Sequence, residues 1–275
     1  MYLEHFGLSE LPFSITPDTS FTVITRSHQE GLNTLLIALG SGEGFIKITG
    51  EVGTGKTLLC RRLLQALPAE TVSAYLPNPY LAPRTLLLAL AEELKLAVAV
   101  DCDDYHLLQA VNRALLDHAA AGRQVIVCID EAQAMPLETL ESLRLLSNLE
   151  TEKRKLLQIV LFGQPELDRK LAEPSVRQLL QRIAFHYRLH GLDRQEVASY
   201  LAHRLRVAGY RGEGVFGPRA IRCLHRASRG TPRLLNILAH KALLAAFGEG
   251  MHGVKAGHVK RAVADTEGAS APGWW

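Results

Sequence analysis

The chain has 275 residues, of which 47% are hydrophobic and 21% are charged, a balance that excludes an intrinsically disordered protein. Because single cores stop growing at about 250 to 300 residues, this length fits one large domain and a smaller one. The 31 basic and 28 acidic side chains give a formal net charge of +3, so no global field would draw the chain to nucleic acid or to an anionic membrane.

Predicted strands and helices alternate through the first part of the chain. A capping box, with Ser27 followed three residues later by Glu30, opens a helix over residues 27–39. Strands are predicted at residues 45–49, 71–76, 125–129, 156–162 and 185–189. Helices are predicted at residues 56–67, 82–95, 104–121 and 137–150. The alternation implies an α/β fold, a five-stranded parallel sheet with helices on both faces.

Strand signals stop after Gly191. Helical patterns follow at residues 193–207, 218–228, 232–247 and 254–265, and they predict a small all-helical domain. The last residues, 267–275, have no periodicity and are expected to form a flexible tail. We therefore predict a core of residues 1–191 that includes the linker helix, a helical domain of residues 192–266, and the tail.

A glycine-rich loop carries the strongest functional signal. Gly50–Thr57 matches the pattern G-x-x-x-x-G-K-[ST] between a predicted strand and a predicted helix, which is the context of a phosphate-binding loop. In such a loop, Lys56 reaches the β- and γ-phosphates and the hydroxyl of Thr57 ligates Mg²⁺. The residues predicted to bind ATP are Gly50, Glu51, Val52, Gly53, Thr54, Gly55, Lys56, Thr57 and Leu58.

Polar residues follow two of the predicted strands. Asp130, after the apolar strand 125–129, is predicted to hold Mg²⁺, and Glu131 to polarise the water that attacks the γ-phosphate. An isolated pair of acids would suggest a solvated turn, but the phosphate loop earlier in the chain favours the functional interpretation. Gln164 follows the next strand. It either bonds the γ-phosphate or the water, or simply ends the strand in a turn.

Three arginines are candidates that the residues alone leave open. Arg177 and Arg182 precede the last predicted strand, and most surface arginines are solvated. Arg233 follows Thr231 and Pro232, an N-cap and a first helical residue. The charge of Arg233 opposes the helix dipole at that position, so capping does not explain it.

Taken together, these motifs resemble an AAA+ ATPase, and in combination they are specific. They are Gly50–Thr57, Asp130–Gln133, Gly163–Leu167, Gln181–Ile183 and Gly230–Arg233. More narrowly, the chain is similar to the ATPase domain of general secretion pathway protein A and to the MshM-type ATPases of mannose-sensitive haemagglutinin (type IV) pilus biogenesis. The segments that carry this resemblance are Tyr2–Leu8, Pro12-Phe13, Pro17-Asp18 and Leu143–Thr151.

The resemblance extends from Met1 to about Thr266 and gives roles to the open residues. It implies that Gln164 is sensor 1 and that Arg233, in the helical lid, is sensor 2. It also implies an arginine finger that reaches the nucleotide of a neighbouring subunit, for which Arg182 is the first choice and Arg177 the reserve. Such a finger implies a nucleotide-dependent ring, commonly a hexamer. The segment that usually borders the base includes Phe13, Pro17 and His28.

The resemblance further implies Mg²⁺-dependent hydrolysis of ATP to ADP in the service of a type IV pilus or secretion machine. The sequence shows no signal peptide and no apolar stretch of about 20 residues, so we expect a cytoplasmic protein that reaches the inner membrane through envelope partner proteins. Relatives continue into a membrane span and a peptidoglycan-binding domain. This sequence stops at Trp275, so we expect either a stand-alone type or a fragment.

Two other classes of function remain open. Transposition regulators and replication loaders share this core, and the basic stretch Arg194–Arg211 would suit nucleic acid, although the near-neutral charge argues against it. A nucleotide-binding switch with little turnover is the other class. Trp274 and Trp275 fit either a partner pocket or a disordered end. The four cysteines, which have no C-x-x-C spacing, indicate buried thiols rather than a zinc site.

Overall fold

Five parallel strands form one sheet, as predicted. In chain order they are β1 (Phe45–Gly50), β2 (Val72–Leu76), β3 (Val125–Ile129), β4 (Gln158–Gly163) and β5 (Ile183–Leu189). Their spatial order is β2-β3-β4-β1-β5, with every neighbouring pair parallel. All residues of β1, β3 and β4 are buried, because these inner strands are covered on both faces. In contrast, the edge strand β5 alternates in exposure.

The computed structural model describes residues 2–14, 21, 23–99, 102–147 and 155–269. Several residues named above therefore lie outside the described part of the chain: Met1, Pro17, Asp18, residues 148–151 and residues 270–275, which include Trp274 and Trp275. The α-helices are α1 (Tyr2–Phe6), α2 (Arg26–Gly40), α3 (Lys56–Ala66), α4 (Pro83–Glu93), α5 (Asp104–Ala120), α6 (Leu137–Leu146), α7 (Glu166–Leu171), α8 (Arg177–Leu180), α9 (Arg194–Val207), α10 (Pro218–Ser228), α11 (Pro232–Gly248) and α12 (Ala256–Ala264).

Successive residues of the inner strands supply two separate cores. In β3, Val127 and Ile129 pack in a cluster with α4, α5 and α6. The intervening residues Ile126 and Cys128 pack in a second cluster with α2 and α3. Since side chains alternate across a strand, the two clusters lie on opposite faces of the sheet. The predicted α/β architecture with helices on both faces is thereby confirmed.

The chain divides into two compact units. One comprises His28–Glu51 and Gly55–Leu189, and the other comprises residues 1–27, Val52–Thr54 and the residues from His190 onward. The structure thus groups the first 27 residues with the C-terminal helices, whereas the sequence prediction grouped them with the sheet. The predicted division at residue 191 stays a proposal.

A buried arginine ties the N-terminal residues to the helical unit. The guanidinium of Arg204, on α9, donates to the carbonyl oxygen of Pro12 at 2.5 Å and lies 4.9 Å from the ring centre of Phe21. It also donates to the hydroxyl of Tyr200 at 3.1 Å. Buried charge is costly unless it is bonded in this way. Arg204 therefore serves packing and is not part of a solvated basic face.

No helix of the described residues is long and apolar enough to cross a membrane. The cysteine thiols are free, and three of them are buried, as predicted, whereas Cys102 is partly exposed.

Gly230, between α10 and α11, tests the packing of the helical unit. Its φ is +71°, and a Cβ added there would lie 2.1 Å from the carbonyl oxygen of Leu192. We expect Gly230→Ala to lower the free energy of unfolding by about 2 kcal/mol or more, because left-handed backbone and a backbone clash coincide. Urea denaturation, monitored by circular dichroism, measures this free energy of unfolding. Gly214→Ala, whose Cβ would meet nothing within 4 Å, is the control; equal losses in both variants would contradict this account.

Candidate functional site

Three neighbouring strand ends carry the predicted site residues. Gly50 ends β1, Asp130 directly follows β3, and Gln164 directly follows β4. In the sheet, β4 lies between β3 and β1. Because the carboxyl ends of parallel strands share one edge of a sheet, and ligands bind at that edge, the structure brings these residues together.

The phosphate-binding loop closes on the side chain of Lys56. Gly55 caps α3 in the left-handed conformation, with φ +94°, and a Cβ there would lie 2.5 Å from Nε2 of His28. The Nζ of Lys56 donates to the carbonyl oxygens of Gly50 at 2.9 Å and Glu51 at 3.2 Å. Burial lowers the pKa of Lys56, and nearby carboxylates oppose this shift. The loop thus holds a buried amine beside the first turn of a helix, a setting that suits phosphate.

Val52–Thr54, in the middle of the loop, belong to the same compact unit as the C-terminal helices. Within that unit, the backbone N–H of Arg233 donates to the carbonyl oxygen of Gly53 at 3.4 Å. Gly53 has φ +80°, and a Cβ added there would lie 2.5 Å from the Cβ of Arg233. Glycine is required at this approach. The side chain of Arg233 is exposed, as is that of Val52, whereas Thr54 is buried.

Thr57 and Asp130, the predicted metal ligands, touch each other. The hydroxyl of Thr57 donates to Oδ2 of Asp130 at 2.6 Å, and the hydroxyl of Tyr75 donates to the same oxygen at 3.5 Å. The Oδ1 of Asp130 accepts from the backbone N–H of Glu131 at 2.9 Å. A carboxylate beside a hydroxyl is the oxygen donor set that Mg²⁺ takes in nucleotide sites. The residues present therefore fit the metal.

Glu131 has a strained backbone and a tightly bonded carboxylate. Its φ of +50° is left-handed, which is uncommon for a residue with a side chain and is concentrated at functional sites. The Oε2 of Glu131 accepts from Nε2 of Gln133 at 2.5 Å and from Nε2 of Gln164 at 3.0 Å. Burial alone would raise the pKa of Glu131, but the two amides and the charge of Lys56 outweigh it and lower the pKa. Glu131 is therefore an ionised carboxylate at neutral pH.

Residues that sequence reasoning missed complete this arrangement. Gln133 stood within the acidic motif Asp130–Gln133, but no role was predicted for it. Lys170, on α7, donates to the carbonyl oxygens of Gln133 at 2.6 Å and Met135 at 2.7 Å. Neither Lys170 nor Tyr75 has a sequence signal, because each meets the site only through the fold.

The two candidate finger arginines lie elsewhere. Arg182 directly precedes Ile183, the first residue of β5, and so it lies at the amino edge of the sheet. A seven-residue strand spans roughly 23 Å, which separates Arg182 from the edge where Glu131 lies. Arg182 donates to the carbonyl oxygen of Arg144 at 3.2 Å and to Oγ of Ser147 at 2.7 Å. Arg177, at the start of α8, is exposed.

The remaining predicted contacts are placed as follows. His28, of the segment expected to border the base, is buried against Gly55. Phe13 is buried in the core of the helical unit. Leu58, in the first turn of α3, is partly buried.

Comparison with known proteins agrees with this geometry. The protein family described as "AAA domain" matches residues 38–171. General secretion pathway protein A of Aeromonas hydrophila is 45% identical over all 275 residues of the chain, which cover 50% of that protein. The chain contains an AAA domain over residues 38–171. It is similar to general secretion pathway protein A and spans about half the length of that relative.

Three solved structures share the fold of this chain. Cdc6p of Pyrobaculum aerophilum is 17% identical with a TM-score of 0.63, and the match covers 91% of this chain and 71% of that one. ORC2 of Aeropyrum pernix, solved as ADPNP-ADP complexes, is 21% identical with a TM-score of 0.60 and coverage of 93% and 73%. The RuvB branch migration motor of Thermotoga maritima is 15% identical with a TM-score of 0.56 and coverage of 93% and 73%. At these identities the likeness concerns the fold alone.

Proposed function

We propose that this AAA+ chain binds Mg·ATP and hydrolyses it to ADP. The observation that carries the proposal is the meeting, at one edge of the sheet, of a phosphate loop, a hydroxyl–carboxylate pair and an ionised glutamate. The loop is centred on Lys56, the pair is Thr57 with Asp130, and the glutamate is Glu131. Each has a separate task in phosphoryl transfer.

Binding falls to the residues from Gly50 to Leu58. The N–H groups of the loop and of the first turn of α3 would donate hydrogen bonds to a bound phosphate, and the amine of Lys56 would supply the positive charge. Thr57 and Asp130 would hold Mg²⁺, which when bound neutralises negative charge on the phosphates. Arg233, which contacts Gly53 within the helical unit, is proposed to take part in nucleotide binding. Selection of adenine rests on the family resemblance.

Glu131 and Gln164 are the residues proposed to act in hydrolysis. The hydrogen bonds from Gln133 and Gln164 to the carboxylate of Glu131 both go to Oε2, so Oε1 is the oxygen oriented to accept a hydrogen bond from water. The water oxygen attacks the γ-phosphorus as its proton moves toward Glu131, and the bond to the ADP oxygen breaks. Gln164 bonds Glu131 through its side-chain amide and directly follows β4. This is the position proposed for sensor 1.

We further propose that Arg182 acts on the nucleotide of a neighbouring subunit in a ring. Its place at the amino edge of the sheet puts it a strand length from its own catalytic glutamate, so it cannot serve that site in cis. An arginine finger is worth about 10³- to 10⁵-fold in rate, because it stabilises charge in the transition state. Arg177 is the alternative finger.

A concentration series tests the function and the ring together. We expect the ATPase rate per subunit to rise with protein concentration, and Arg182→Ala to lower the rate by about 10³-fold at concentrations where the ring has formed. Mass measured in solution should increase when Mg·ATP is added. Arg177→Ala decides between the two candidates, and Arg123→Ala, at an exposed turn, is the control. A rate that is independent of concentration and unchanged in Arg182→Ala would refute the finger.

For the cellular role, we propose support of a type IV pilus or secretion machine from the cytoplasmic side. This proposal rests on the similarity to general secretion pathway protein A. In this proposal the chain reaches the inner membrane through envelope assembly proteins.

A nucleic-acid partner is the second candidate, and one surface favours it. Arg219, Arg222 and Arg226 are exposed on α10, and their spacing places them on one face of the helix. Residues 214–248 contain no acidic side chain. Two structures with this fold, ORC1 of Aeropyrum pernix and Drosophila ORC, are complexes with DNA. A DNA mobility shift that weakens steeply with salt would favour this candidate.

A further inference from the structure

Gln133 uses both ends of its side-chain amide to join two elements of the site. Its Nε2 donates to Oε2 of Glu131 at 2.5 Å. Its Oε1 accepts the backbone N–H of Gln164 at 2.9 Å. A single side chain thus links the carboxylate after β3 to the backbone after β4, and the amide is left with one unused N–H.

The backbone of Gln133 is held independently of these bonds. Gln133 lies in a 3₁₀ turn, Ala132–Ala134, directly after the strained backbone of Glu131. Lys170 donates to the carbonyl oxygens of Gln133 and Met135, and Met135 is fully buried. The turn is therefore fixed to α7, and the side chain of Gln133 starts from a defined position.

The end of β4 leaves room for this amide. A Cβ added at Gly163 would lie 3.3 Å from Oε1 of Gln133 and 2.6 Å from Cδ2 of Leu167. Any larger residue at position 163 would therefore press on both neighbours. The glycine lets Gln133 approach the backbone of Gln164 closely enough for a hydrogen bond.

We propose that Gln133 is a positioning residue that orients the carboxylate of Glu131 for attack by water and ties that orientation to the end of β4. The amides of Gln133 and Gln164 both engage Oε2, which fixes the rotation of the carboxylate and presents Oε1 to the water. The inference rests on the proposed hydrolysis of ATP. Gln133 acts through Glu131, which its side chain bonds directly.

The kinetic test compares Gln133→Ala with Gln178→Ala, the same change at an exposed position of α8. We expect Gln133→Ala to lower kcat by about 10²-fold, the scale of a misplaced catalytic group, with KM and the Kd for Mg·ADP unchanged. Gln178→Ala should match the wild type. If Gln133 acts only through Glu131, the double variant Glu131→Gln/Gln133→Ala should be no slower than Glu131→Gln alone.

A second readout needs no activity. In the nucleotide-free chain, the backbone N–H of Gln164 should exchange with solvent deuterium faster in Gln133→Ala than in the wild type or in Gln178→Ala. Gln133→Glu keeps an acceptor for that N–H but removes the donor to Glu131, so it should preserve the protection and still lose the rate.

Each outcome decides the inference. Unchanged exchange at Gln164, or losses that multiply in the double variant, would overturn it. If the wild type hydrolyses no ATP, the proposed function fails and the positioning role fails with it. The bridge between Glu131 and β4 is then still judged by the exchange measurement alone, so the two failures are distinguishable.

Discussion

Replacement of Glu131 by glutamine should lower kcat for ATP hydrolysis by about 10²- to 10⁴-fold, the range for loss of a general base. The amide has the same shape as the carboxylate but cannot accept the proton of the attacking water. Binding of Mg·ATP should be retained, because Lys56 and the Thr57–Asp130 pair are untouched. Steady-state ATPase assays and titration with a fluorescent ATP analogue measure the two quantities separately.

The control for this variant is Glu138→Gln, the same change at an exposed position of α6. It should leave both rate and binding unchanged. A Glu131→Gln chain that still hydrolyses ATP would remove Glu131 from the base role. A wild type that binds but does not hydrolyse at any concentration would favour the nucleotide-binding switch.

The pH dependence of the wild type follows from the same carboxylate. The amides of Gln133 and Gln164 and the charge of Lys56 outweigh burial and lower the pKa of Glu131. A base with a lowered pKa stays ionised as the pH falls past the ordinary glutamate value of about 4.3. Protonation of Glu131 should therefore lower the ATPase rate only below about pH 4.3.

Replacement of Lys56 by alanine should remove nucleotide binding almost completely. The variant loses the only charged donor that the loop directs at the phosphates, and it leaves the carbonyl oxygens of Gly50 and Glu51 without that partner. Charge-assisted bonds are worth about 1.5 to 3 kcal/mol each. Because Lys56 is expected to reach both the β- and γ-phosphates, loss of the two bonds should raise Kd for Mg·ATP by about 10²-fold or more. Hydrolysis should fall with binding.

Thermal unfolding with and without Mg·ATP measures this effect. At about 100 times Kd, a ligand stabilises the fold by about 2.7 kcal/mol, so the Tm of the wild type should rise on addition of nucleotide. The Tm of Lys56→Ala should not move, whereas Lys260→Ala, at an exposed position of α12, should behave as the wild type. An equal rise in Lys56→Ala would contradict the assignment of the loop.

Sequence patterns located the strands closely because strands buried in a sheet are rich in apolar and β-branched residues. The prediction for β3 agrees with Val125–Ile129, and β1 differs by one residue. The short helix α7 (Glu166–Leu171) was missed, because fewer than two turns give no helical period to detect. Helical periodicity also identified α9 to α12 within about two residues, the usual uncertainty of helix ends.

By itself, the sequence determined the phosphate loop, the acids after β3 and the alternation that builds a parallel sheet. These features are local, since each depends on a strand and the few residues that follow it. Only the tertiary structure decided two contacts of Gln133. Its side chain bonds the backbone of Gln164, which lies 31 positions away, and its backbone carbonyl accepts from Lys170, which lies 37 positions away. The tertiary structure also decided that Arg204 is buried against Pro12, because which surfaces meet depends on packing among distant segments.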